Sequence, residues 1–191
     1  MSNSQLVKIE AGTAAEICAR FLASKETLAL LEDGMGPGPF LKALMANKQY
    51  VAGIDFLAHA LPPREAVWWG CLCFQHACGN AMSPPDKGAA TAAVHWVLQP
   101  GDATRGAAKV QGEAAGPASV AGALAMAAYL AGPGFAATPG GPSTPAPPFG
   151  TAKSVANAVK IACTKSDPVR IVQTQKSFME LGIGVAAGRF M

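Results

Sequence analysis

Apolar residues in this chain recur at helical spacing and nowhere alternate with period two for long, a contrast that predicts an all-α fold. Thr13 and Glu16 are spaced as a capping box, so a first helix starts there with Ala14, Ile17 and Phe21 on one face. Ser24 is placed to cap a second helix, Lys25 to Asp33, which the run GMGPGP at 34–39 ends. A third spans Pro39 to Ala46. A fourth, Tyr50 to Leu61, carries Ile54, Leu57, Ala58 and Leu61 on one side. Pro62 and Pro63 stop it and start a fifth, because only a helix's first turn can spare a backbone N–H. Ser83-Pro84-Pro85-Asp86 repeats the signal for a sixth, Pro84 to Gln99. Asp102 is placed to cap a seventh, running through Gly112, and Pro117 opens an alanine-rich eighth to Ala131.

From Ala114 to Ala152 there is no charged residue. The first half of that run reads as a buried helix. The second half, 132–150, is dense in proline and glycine and suits neither helix nor sheet core, so an extended or disordered loop is expected. Two helices follow, the first starting at Thr151 or Ser154 and the second at Asp167-Pro168. On the last, Ile171, Phe178 and Val185 lie seven apart with Val172 and Met179 beside them, a core-facing stripe. The expectation is one domain over 1–191: a bundle, or a short helical-hairpin array, of eight to ten helices with one long Pro/Gly loop.

Composition sharpens this picture. The chain has 191 residues, half of them hydrophobic and 14% charged, enough to fold around a sizeable core. The apolar content is mostly alanine, which favours close helix contacts. The net charge of +3 is too small to imply nucleic acid. It is uneven, however: after Gly150 six basic residues face two acidic ones. The N-terminal run MSNSQLVKIEAG lacks a basic segment followed by an apolar one, and the five cysteines are odd in number and sit in apolar segments. Both point to a cytosolic protein with reduced thiols. The apolar run 118–131 is bounded by Gly116-Pro117 and Gly132-Pro133 and falls short of the ~20 residues a membrane span needs, so no insertion is expected.

Candidate chemistry concentrates in Leu61 to Gly79, LPPREAVWWGCLCFQHACG. Cys71, Cys73, His76 and Cys78 are zinc-type residues, but on a helix Cys71 and Cys78 share one face while Cys73 and His76 share another. No metal or other cofactor is therefore expected. A cysteine nucleophile would need a base close to Cys71, where His59 or His95 could lie, and the enzyme reading would use Cys71, His76 or His95. GMGPGP lacks the Lys-Ser/Thr of a phosphate loop, and no HExxH or GxSxG motif occurs. Arg64 precedes Trp68 by four residues, so its guanidinium can lie on that ring, and Glu65 opposes the positive end of the helix dipole. Arg64, Glu65 and Trp68 thus make a candidate partner-binding surface, with Lys153, Lys160 and Arg170 on the basic C-terminal helices as a second. The competing reading has both tryptophans filling a core beneath a solvated Arg64–Glu65 pair.

The segment FLAHALPPREAVWWGC, Phe56 to Cys71, resembles a family of uncharacterised bacterial proteins of about this length. These carry a Leu-Pro-x-Arg-Glu-Ala-Val-Trp-Trp signature after a segment similar to TAAEICARF, here Thr13 to Phe21. The likeness runs to about Leu98 and weakens in the Pro/Gly loop. It implies an association with gene neighbourhoods of contractile type VI secretion and its PAAR-like tip proteins, and hence an accessory, adaptor or chaperone role. The leading expectation is a non-enzymatic protein-binding adaptor whose partner is another protein. The alternatives are a small cytosolic enzyme using a Cys/His pair, or a homo-oligomer assembled through the alanine-rich helix.

Overall fold

Proline and hydroxyl side chains divide the chain into short helices, and the computed structural model, which describes residues 6–79, 82–132, 134–136, 143–165 and 168–190, shows ten α-helices among them. They are α1 (Ala14–Cys18), α2 (Lys25–Leu28), α3 (Pro37–Ala46), α4 (Tyr50–Ala60) and α5 (Pro63–Cys78). Then come α6 (Pro84–Leu98), α7 (Asp102–Ala115), α8 (Val120–Leu130), α9 (Gly150–Thr164) and α10 (Ile171–Ala186). The all-α expectation holds.

Hydroxyl caps set several starts. Thr13 Oγ1 accepts the Glu16 N–H at 3.3 Å, Ser24 accepts from Thr27, and Ser83 accepts from Asp86. Ser119 accepts the Gly122 N–H at 2.9 Å, so α8 begins at Val120, three residues later than its proline suggests. α2 stops at Leu28 because the chain tightens there: Leu30 and Leu31 donate to Thr27 and Leu28, three residues back. α3 begins at Pro37 instead of Pro39, since two prolines fit in one first turn. α7 is capped by Gly101, leaving Asp102 to pair with Arg105 at 2.9 Å, and it runs past Gly112 to Ala115. Pro168–Arg170 forms a 3-10 turn leading into α10; Asp167 lies outside the described residues.

In the Pro/Gly segment Gly134–Ala136 and Ser143–Pro145 pair as a short antiparallel ribbon, Phe135 opposite Thr144. The expectation for 132–150 is an extended or disordered loop, and the pairing of these two strands departs from it. Residues 133 and 137–142 lie outside the described residues.

α5, α8 and α9 form the centre. α6 and α7 cover α8 on one flank; on the other, α10 packs on α5 and α9, and α4 packs on α9 and α10. α8 is buried along most of its length, the physical reason an uncharged alanine-rich helix is tolerated. On α10, Phe178, Met179 and Val185 face the core as expected, whereas Val172 is exposed because the buried stripe starts at Thr174. Gly182 lets α10 approach closely: a Cβ there would lie 2.9 Å from Leu57 Cδ1 and from Trp69 Cε2. Among the described residues no helix is long and apolar enough to cross a membrane.

Candidate functional site

Two adjacent tryptophans on one helix must point in different directions, and α5 sorts them accordingly. Trp69 is fully buried, and its Nε1 donates to the Phe178 carbonyl of α10 at 2.9 Å. Trp68 is half-buried and donates to the Phe190 carbonyl at 2.7 Å. Arg64 Nε donates to the Val97 carbonyl at 2.6 Å, satisfying the C-terminal end of α6. Glu65 does not pair with Arg64. It is 8% exposed and meets Lys8 Nζ at 3.4 Å. Of the three predicted partner-binding residues on α5, only Arg64 is exposed. On the second candidate surface Lys153 and Arg170 are exposed, while Lys160 is tied to Asp55 at 2.8 Å.

The thiols lie in apolar packing. Cys18, Cys71, Cys73 and Cys163 are buried, and Cys78 is partly so. Burial pushes Cys71 up to about 12 and Cys18 and Cys163 up to about 11, and Cys73 rises well above its ordinary value for the same reason. A nucleophilic cysteine needs the opposite shift. His76 and His95 are exposed, with the His76 ring set edge-on to Phe178. Among the described residues no three His, Cys, Asp or Glu side chains gather as metal ligands. The alanine-rich helix, offered above as a self-assembly contact, is α8 and is already covered by α5, α6, α7 and α9.

Two concavities among the described residues bear on function. The first, about 430 Å³, lies where the α1–α2 connection meets α4 and α10; Phe21, Leu22, Tyr50, Val51 and Gln175 line it, with Glu26 and Lys48 at its edge. Leu22 is 101% exposed and Val51 44%. The second, about 480 Å³, is bounded by Arg20, the end of α4, the start of α5, the end of α8 and the start of α9.

His59 lines that second cleft and is 4% exposed. Its Nδ1 lies 2.8 Å from the Asp55 carbonyl, which can only accept, so Nδ1 carries the proton and Nε2 is an acceptor. Phe21 stacks on the ring at 5.1 Å and Phe149 flanks it at 6.1 Å. Arg20 Nη1 donates to the His59 carbonyl at 2.9 Å. Burial lowers the imidazole pKa from its ordinary value against the opposing pull of Asp55, which favours the neutral ring. Sequence reasoning considered His59 only as a base for Cys71. Its four-residue spacing from Asp55 was visible, but Arg20 and Phe149 come from distant segments.

Fold and site therefore define an all-α protein with thiols buried in its interior and, among the described residues, a groove beside Leu22 and a cleft beside His59. The chain belongs to the family of unknown function DUF6931, whose model matches residues 40–186. That span contains Phe56 to Cys71 and extends well past Leu98, through the Pro/Gly segment and both C-terminal helices; Thr13 to Phe21 lies outside it. No curated protein and no solved structure matches the chain.

Proposed function

We propose that this chain is a non-enzymatic adaptor or chaperone that holds an apolar segment of another protein in the groove between Leu22 and Val51. Leu22 carries the proposal: a leucine fully open to water on the connection between two short helices. Single exposed leucines are ordinary. Here Leu22 lines one concavity with Val51, Phe21 and Tyr50, and Lys48 and Glu26 offer both charges at its edge to fix an extended backbone. The buried, protonated thiols support a binding role over a Cys/His enzyme. The resemblance of Phe56 to Cys71 favours a secretion-system component or effector as the partner, met in the bacterial cytosol.

The test is affinity capture from the native host with identification of the bound protein, using wild-type chain and the variants Leu22→Asp, Arg64→Ala and Lys160→Glu. Loss of one defined partner with Leu22→Asp alone supports the groove. Loss with Arg64→Ala or Lys160→Glu alone moves the site to α5 or to the basic helices. A partner indifferent to all three refutes these surfaces.

A further inference from the structure

The cleft beside His59 has the chemistry of a ligand site in its own right, independent of the groove. His59 is more than nine-tenths buried, and Nε2 is a buried side-chain atom without a hydrogen-bond partner among the described residues. Leaving a buried acceptor unpaired costs about 1–3 kcal/mol, so such a group points to a missing donor. With Nδ1–H on the Asp55 carbonyl, Nε2 of the neutral ring is an acceptor that an O–H or N–H donor can satisfy.

The opposite wall is built for negative charge. α9, 15 residues long, starts in this cleft without a side-chain cap. Gly150 N–H is taken by Pro147 and Lys153 N–H by Phe149, whereas no acceptor meets the N–H of Thr151 or Ala152 among the described residues. Both residues line the cleft, at the positive end of the helix dipole. Arg20 adds a full positive charge, its guanidinium 5.9 Å from the Phe149 ring centroid. Among the described residues Glu10 is the one acidic residue on the lining, and it is exposed.

Phe149 joins the two halves. It is the N-cap of α9, with φ 55° and ψ 26°, a left-handed conformation that bulky residues rarely hold. Phe149 is 46% exposed, and its ring flanks His59 and presents an apolar face. Backbone strain of this kind collects at ligand sites.

We propose that this cleft binds a small organic carboxylate that also carries a hydroxyl or N–H donor. The carboxylate would sit on the Thr151 and Ala152 amides and Arg20, the donor would reach His59 Nε2, and an apolar body would lie against Phe149.

The experiment titrates 2-, 3- and 4-hydroxybenzoate, which vary the distance between carboxylate and donor, into isotope-labelled full-length chain. Benzoate lacks the donor and phenol lacks the charge. The expected result is saturable one-to-one binding of at least one hydroxybenzoate, with the Thr151 and Ala152 amide signals and the His59 Nε2 signal moving together. Benzoate and phenol should bind at least tenfold more weakly, the factor one lost hydrogen bond or charge contact implies. His59→Phe should abolish the preference for the hydroxylated ligand. If that variant does not fold, the comparison of ligands on wild-type protein decides alone. No saturation by any of the three up to about 10 mM, or equal affinity for benzoate with those signals unmoved, overturns the proposal.

Discussion

Replacing Trp69 with Phe, and separately Trp68 with Phe, asks whether α5 is an interior helix or a reactive surface. Trp69 is fully buried between α5 and α10, with its N–H on the Phe178 carbonyl. Trp69→Phe removes two buried ring carbons, worth about 0.8 kcal/mol each. It also removes one buried hydrogen bond, worth about 1 kcal/mol. The Phe178 carbonyl lies inside α10 and keeps its helical partner, so no orphaned acceptor adds to the cost. The expected loss is about 2–3 kcal/mol. Trp68 is half-buried and its bond to Phe190 is solvent-exposed, so Trp68→Phe should cost about 1 kcal/mol or less. Urea unfolding followed by far-UV circular dichroism reads both without relying on the indole removed. The Trp69 variant should lose about 1 M or more in its midpoint and the Trp68 variant much less. Equal shifts, or a negligible one for Trp69→Phe, would refute the assignment of opposite environments to the two rings.

Two glycines should respond to alanine with opposite signs. Gly182→Ala sets a Cβ 2.9 Å from the Trp69 ring and should lower stability by about 1–3 kcal/mol; Gly106→Ala, on α7 with nothing within 4 Å, should raise it by about 0.5–1 kcal/mol. Thermal melts of both variants check this. pH supplies another prediction. The folded His59 has a pKa below its ordinary 6.5, so below that value the unfolded chain binds more protons and folding is penalised. Stability should hold above about pH 6.5 and fall as pH drops below it, and His59→Phe should flatten the slope in that window, read by urea titrations at pH 7.5 and 5.5.

Punctuation was the legible part of the fold. Thr13, Ser24, Ser83 and the Pro62-Pro63 pair act locally, so their effect on helix starts can be read from neighbouring residues alone. Helix ends were less visible, because α2 ends where its backbone tightens and α8 starts at a serine cap instead of its proline. Partners far apart in sequence were not visible at all. Arg64 and Trp68 are well spaced to stack, yet the Val97 and Phe190 carbonyls, 33 and 122 residues away, take their donors. Glu65 likewise meets Lys8, 57 residues away. The cleft needs Arg20, His59 and Phe149 from three separate segments, and only folding brings them together.

The claim beneath the whole account is that the sulfurs of α5 and its neighbours fill an interior and do not react. Brief iodoacetamide treatment of native protein at pH 8, with each cysteine followed by peptide mass spectrometry, tests it directly. Cys78, partly exposed, should be the site modified, while Cys18, Cys71, Cys73 and Cys163 stay protected until urea unfolds the chain. Labelling of Cys71 or Cys73 in the folded protein as fast as a free thiol would contradict it.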